Sequence, residues 1–259
     1  MLNTDIADGI ATVTLNRPDV RNAFNDELVA ALHAAFTQID ARDDVRVVVL
    51  SAHGPMFCAG ADLHWMRQMA SYSPEQNEAD ARRMADMLHA IASCRYPVIA
   101  RVHGDAYAGG VGLVAACDIA VASTDACFAL TEVKLGLIPG TISPYVLSAI
   151  GASAARRYML TAERFDAAEA YRIGLVRELV PPDALDDAIG DLVDALMHAS
   201  PQAIAATKRL IAEVCEQPMS AQLRDLTAQR IAQARASDDG KEGLAAFLEK
   251  RKPRWACDA

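Results

Sequence analysis

Basic residues are the minority charge in this chain of 259 residues: 25 Lys and Arg stand against 34 Asp and Glu, a net charge of -9. No basic stripe is visible, which disfavours binding along a nucleic-acid backbone. Aromatic residues make up only 5% although 52% of the chain is hydrophobic. Ala, Val, Leu and Ile therefore build the core, a composition that suits helices on a sheet better than a β-sandwich. No apolar run reaches the roughly 18 residues of a membrane span. The N-terminal MLNTDIADGIATVTL lacks a basic region followed by an apolar one, so no secretion signal is expected. The six cysteines (58, 94, 117, 127, 215, 257) include no C-x-x-C pair and lie mostly in apolar runs. They are expected to be reduced and buried, as in a cytoplasmic protein. The six histidines show no H-x-x-x-H or Cys/His ligand spacing, and no metal site is expected.

What is present is an alternation. GIATVTLNRP (9–18) is a short β-rich run, and NDELVAALHAAFTQID from Asn25 spaces its apolar residues as an amphipathic helix. VRVVVLSA (45–52), YPVIARV (96–102) and CDIAVAS (117–123) are apolar runs of the kind that fills a strand covered on both faces. A helix is predicted over 75–92. This is an α/β core. After residue 150 the chain is a series of helical segments, with VRELV (176–180) the one strand candidate. Two regions are expected: a core over 1–195 and a helical region over 196–259.

Within HGDAYAGGVGLVAACDI (103–119) stands G-x-G-x-x-A, which suggests a dinucleotide loop. Seven residues, however, separate the preceding strand from Gly110, and the motif comes late in the chain, both against a nicotinamide site. Cys58 reads more simply as a small buried residue than as a nucleophile. Two glycine loops remain. Gly60–Ala61 follows strand 45–52, and Gly109–Gly110 follows strand 96–102, before a helix predicted over 110–116. Uncovered N–H groups on two such loops form an oxyanion hole if they converge, and are ordinary turns if they do not. Glu132 lies between the apolar CFALT and VKLGLIPG. It is either a partly buried acid with a raised pKa or a solvated edge residue.

TVTLNRPDVRNAFN (12–25), FCAGADLHWM (57–66), YPVIARVHGDAYAGGVGLVAACDIAVAS (96–123), FALTEVKLGLIPG (128–140), AARRYMLTAERFDAAEAYRIGLV (154–176) and AAFLEKRKP (245–253) resemble the enoyl-CoA hydratase/isomerase, or crotonase, family nearly end to end. The resemblance implies a spiral ββα-superhelix core with a C-terminal helical trimerisation region. It implies an acyl-CoA thioester as substrate, coenzyme A being part of that substrate and no separate cofactor being needed. It also implies a homotrimer or dimer of trimers, with no nucleic-acid or membrane partner. Carried over, the N–H groups of Ala61 and Gly109 form the oxyanion hole. Ala59, Ala61, Asp62, Leu63 and His64 line the CoA side, and Arg21, Asn22, Ala23 and Phe24 lie where the adenosine end is wrapped. Phe247 and Lys250 match residues that reach a neighbour's CoA.

Hydratases of this family carry two glutamates about the water. The second matches Glu132, but the first falls on Gly112. IPGTISPYVL (138–147) likewise replaces a glycine-rich stretch common in the family. Three expectations follow. One is a hydratase using Glu132, with Gly112 enlarging the pocket for a branched, 3-methylglutaconyl-like acyl chain. The second is a Δ3-to-Δ2 enoyl-CoA isomerase using the one glutamate. The third is an acyl-CoA binder with little catalysis. Tyr107, Ser143 and Tyr145 are near enough in sequence to stand in for the missing acid.

Overall fold

Every residue of β3 (Val47–Ala52) is buried, because the strand is covered on both faces. Val48 and Leu50 face the main core, while Val47 and Val49 face a second apolar cluster with Leu185, Ala188 and Ile189. This computed structural model describes residues 1–215 and 217–256. β1 (Leu2–Ala7) pairs antiparallel with β2 (Ile10–Leu15), and β2 pairs parallel with β3. β4 (Val98–Val102), β6 (Ile119–Ser123) and β9 (Glu178–Val180) continue the parallel order, giving a sheet β1-β2-β3-β4-β6-β9. The Thr14 and Ser51 hydroxyls, opposite one another across β2 and β3, satisfy each other at 2.8 Å inside the core.

A small second sheet is made of β5 (Ala106–Tyr107), β7 (Cys127–Ala129) and β8 (Phe165–Asp166), in the order β5-β7-β8. The chain thus repeats a unit: a strand in the large sheet, a short strand in the small one, then a helix. β4 and β5 lead to α4 (Gly109–Ala116). β6 and β7 lead, through a 3-10 turn at Glu132–Leu135, to α5 (Ser143–Thr161), which is kinked at Gly151. Stacked units of this kind are the ββα spiral that the resemblance implies.

α1 (Asp26–Asp40) is capped by the Asn25 side chain, which accepts from Leu28 N–H at 2.9 Å, and buries Leu28, Leu32, Ala35, Phe36 and Ile39 of its predicted stripe, leaving Ala31 half-buried. α2 (Leu63–Met69) and α3 (Pro74–Ser93) follow β3, and α3 begins in a Ser73/Gln76 capping box. α6 (Ala167–Ile173) leads back into β9, and α7 (Leu185–Met197) covers the far face of the large sheet. α8 (Pro201–Val214), α9 (Ala221–Ala236) and α10 (Asp238–Glu249) pack on one another as the C-terminal helices. Among the described residues, no helix is long and apolar enough to cross a membrane. Cys58 and Cys94 are buried as expected, and Cys117 and Cys127 half-buried. Cys215 is exposed, because the chain leaves α8 there at the surface, and Cys257 lies outside the described residues.

Asn22 joins the segments that the site needs. It has no exposed surface. Its amide donates to the carbonyls of His53 (2.8 Å) and Met56 (2.9 Å) and accepts from Arg17 N–H at 2.8 Å. The turn before α1 is thereby tied to the loop after β3. Asn22→Ala strips three backbone groups of a buried partner, so a loss of about 3 kcal/mol is expected in urea unfolding. A loss within the error of the measurement would show that the loop is held by other contacts.

Candidate functional site

The loops that follow β3 and β4 leave the sheet on the same side, at the C-terminal ends of parallel strands. Residues 57–62 are strung between two partners. On one side, Phe57 N–H and Cys58 N–H donate to Asp105 O at 3.0 and 3.2 Å, and Tyr107 N–H donates to Cys58 O at 2.9 Å. On the other, Ala59 N–H donates to Arg21 O (3.0 Å), Phe24 N–H to Gly60 O (2.7 Å) and Asp62 N–H to Phe24 O (2.8 Å). This parallel bridge of Phe24 with Ala61 skips the Ala61 N–H. Gly109 opens α4, so its N–H has no acceptor within the helix. Among the described residues, neither N–H has a protein acceptor. The two loops touch. Gly60 has φ +90°, and a side chain on it would stand 3.2 Å from both Ala108 Cβ and Tyr107 O. Ala108 itself is held at φ 47°, ψ -116°, a costly conformation for a residue with a side chain, and its N–H is anchored to Ala129 O at 2.8 Å.

Glu132 starts the 3-10 turn after β7. Its Oε2 is buried with no hydrogen-bond partner among the described residues, and burial raises its pKa above the ordinary carboxylate value. The choice left open by the sequence falls to the partly buried acid. Cys58 is fully buried and its thiol is pushed up to about 12, so it holds no thiolate near neutrality. Among the described residues, no group of three His, Cys, Asp or Glu is placed to hold a metal.

The remaining sequence candidates divide by location. Asp62 caps α2 through His64 N–H (2.8 Å) and pairs with Arg17 at 2.9 Å, so its carboxylate organises the loop, while Ala61, Leu63 and His64 stay exposed beside it. Ala59 is half-buried and Ala23 is buried, with its carbonyl accepting from Arg17; Arg21 is exposed in a left-handed turn. Phe247, 81% exposed, and Lys250 sit at the end of α10, which packs chiefly on α8 and α9.

Gly112 does not open a pocket, contrary to the expectation from the sequence. A Cβ there would overlap Ile142 Cγ2 and lie 2.8 Å from Ile142 Cβ. Ile142, 2% exposed and just before α5, occupies the room that an acid at 112 would need. Nothing in the sequence marks Ile142, since its partner lies 30 residues away and no local pattern links them. Of the three stand-ins, the Tyr107 hydroxyl is held by Asp105 and Arg164, and Ser143 Oγ donates to Gly140 O at 2.8 Å. Tyr145, on the first turn of α5, is half-buried with its pKa raised by burial.

The family model described as Enoyl-CoA hydratase/isomerase matches residues 5–257. The chain is similar to a solved enoyl-CoA hydratase from Shewanella pealeana, at 41% identity and TM-score 0.95, covering 98% of this chain and 95% of that one. It is similar to a solved enoyl-CoA hydratase from Mycobacterium smegmatis, at 39% identity and TM-score 0.92, covering 98% of each. It is also 33% identical to a peroxisomal Delta(3,5)-Delta(2,4)-dienoyl-CoA isomerase of Arabidopsis thaliana, over 98% of this chain and 94% of that protein.

Gly112→Ala overpacks against Ile142 and is expected to cost about 1–3 kcal/mol. Ile142→Ala leaves a cavity, but the double variant should cost less than the sum of the two. Strict additivity in a double-mutant cycle would separate the two positions. For Glu132, the folded protein raises the pKa, so folding disfavours the ionised form. The penalty is absent below the ordinary glutamate pKa and grows as pH rises through the folded value. Glu132→Gln should therefore raise the thermal midpoint at pH 8, with the gain vanishing towards pH 4; an equal gain at both would remove desolvation as the cause.

Proposed function

The chain belongs to the enoyl-CoA hydratase/isomerase family, and on that premise we propose that it adds water across the C2–C3 double bond of a 2-enoyl-CoA. The observation that carries this is the pairing of two unengaged N–H groups on touching loops, Ala61 and Gly109, with a partly buried carboxylate, Glu132, whose shielded Oε2 has no partner among the described residues. The thioester carbonyl accepts from both N–H groups. As water attacks C3, the π electrons of the double bond move towards C2 and the carbonyl oxygen, and the resulting enolate is held by the same two donors. Glu132, kept protonated more readily by its desolvation, gives its proton to C2, and the proton that the water loses on bonding to C3 passes through solvent to restore Glu132. Loss of one donor of such a pair costs ~3 kcal/mol in other oxyanion holes.

The acyl chain in this reading is branched and glutaconyl-like, and its support is the VGLVAACDI and LGLIPGTISPYV pairing. Extra room at Gly112 no longer supports it, since Ile142 takes that room. CoA binds along Ala59–His64 and Arg21–Phe24, with coenzyme A as part of the substrate and no separate cofactor. Residues 196–259 form the trimerisation region of a cytoplasmic homotrimer or dimer of trimers. Leu244, Phe247 and Leu248, uncovered on α10, support an assembly in which Phe247 and Lys250 reach a neighbour's CoA.

One observation favours the second reading, a Δ3-to-Δ2 isomerase: the position of the first acid holds no acid and is sealed by Ile142. Moving a proton between C2 and C4 needs one base and the oxyanion hole. The purified protein, given 3-methylglutaconyl-CoA, crotonyl-CoA and a 3-enoyl-CoA, is expected to hydrate the first, with a mass gain of one water. A double-bond shift in the third without mass gain, and no hydration, would establish the isomerase instead. Glu132→Gln should lower kcat by about 100-fold or more while CoA binding is kept; wild-type turnover would remove Glu132 from the mechanism.

A further inference from the structure

Among the described residues, two carboxylates are each only 5% exposed, Asp80 and Asp239. Asp239 is structural. It accepts from Ser200 Oγ (2.7 Å), Gln202 N–H (3.3 Å) and Arg254 (2.8 Å), tying α10 to α8. Asp80 ties nothing together in this way. Among the described residues its one partner is Arg83 on the same helix, at 2.6 Å, and the Arg83 side chain is itself half-exposed. Nothing in that pair joins α3 to another element. The rest of the inward face of α3 is Met84, Met87, Leu88 and Ile91. A carboxylate at the head of such a stripe costs stability that an apolar residue would not.

Met84 fixes where Asp80 stands. Its Cε is 3.2 Å from the position of a Cβ on Gly109, next to the Phe24 ring at 3.0 Å. α1 starts at Asp26, two residues beyond Phe24, and from there α1 and α3 run side by side: His33 to Asp40 of α1 and Asp86 to Ser93 of α3 line one groove. α3 starts at Pro74 and so overshoots the beginning of α1. Asp80 is level with the first turn of α1, one turn (about 5.4 Å of rise) before Met84. It is the buried acid one helical turn from the residue that lies on the Gly109 end of α4.

We propose that Asp80 is the second carboxylate of the active site, holding the water and taking its proton as the oxygen bonds to C3. The proposal rests on the hydration reading. The carboxylate that position 112 cannot hold, because Ile142 fills the space, is supplied from α3. In the step, the water O–H proton passes to Asp80, the oxygen bonds to C3, and the C2–C3 π pair becomes the enolate at the Ala61 and Gly109 N–H groups. The Glu132 proton then goes to C2. Water is consumed once, and the proton on Asp80 returns to Glu132 through solvent.

The test uses the full-length protein and four forms: wild type, Asp80→Asn, Asp80→Ala and Arg83→Gln. Hydration is followed by loss of enoyl-thioester absorbance, and C2–H exchange of butyryl-CoA in D2O by mass. The exchange needs Glu132 and the oxyanion donors but no water at C3. Asp80→Asn is expected to lower kcat for hydration by about 100-fold or more, with KM, thermal midpoint and C2–H exchange retained. Added formate should restore part of the hydration to Asp80→Ala, and Arg83→Gln should keep most of it. Unchanged hydration in Asp80→Asn overturns the proposal. So does an Arg83→Gln loss as large as that of Asp80→Asn, or a joint loss of exchange and hydration, either of which makes Asp80 a structural residue. A wild type that shifts a 3-enoyl double bond but hydrates no 2-enoyl-CoA defeats the hydration reading itself, and Asp80's role with it.

Discussion

Residues 57–62 are held on both edges by backbone hydrogen bonds, to Arg21–Phe24 on one side and to Asp105–Tyr107 on the other. Each of these segments is a loop that would be mobile alone, since a loop orders only when its polar groups find fixed partners. Here each supplies the other's partners. Asn22 makes the arrangement one unit by taking two carbonyls and one N–H into the core. The bridge between Phe24 and Ala61 uses the Gly60 carbonyl and the Asp62 N–H on either side of Ala61 and skips the Ala61 N–H, and the strained Ala108 turns Gly109 into the first, unbonded position of α4. The free donors are a by-product of how the neighbouring donors are used, so the site depends on the zipper more than on any one side chain.

The two departures from the family pattern, Gly112 and the ISPYV stretch, are one structural change. Ile142 fits only because position 112 has no side chain, and an acid at 112 fits only if Ile142 is absent. Close-packed interiors couple such positions strongly. The contact puts apolar side-chain atoms where the family resemblance expects a carboxylate, while Glu132 Oε2 has no hydrogen-bond partner among the described residues.

The charge of the chain has a similar local logic. A net charge of -9 is unpromising for an anionic ligand such as CoA, yet acids near the candidate site are held by cations: Asp62 by Arg17, Asp80 by Arg83, and Asp105 by Arg164. What matters to a ligand is the unpaired charge along its path, not the sum over the surface.

Much of the fold was legible in the sequence, since burial on both faces of a strand leaves a continuous apolar run, and that is how β3, β4 and β6 read. α1 was legible from Asn25 and its stripe. β1 was not, because it is a polar edge strand, and α2, β5 and β8 were too short to show a period. At the site, the glycine loops and Glu132 stood out by residue type, and the family resemblance gave them roles. Whether Glu132 is buried, what fills the space at Gly112, and that Asp80 lies under the fold's surface were decided only by tertiary structure. The physical reason is range: strand burial and helix periodicity repeat within a few residues and leave a local pattern, whereas a contact such as Ile142 with Gly112 joins residues far apart in sequence and leaves none.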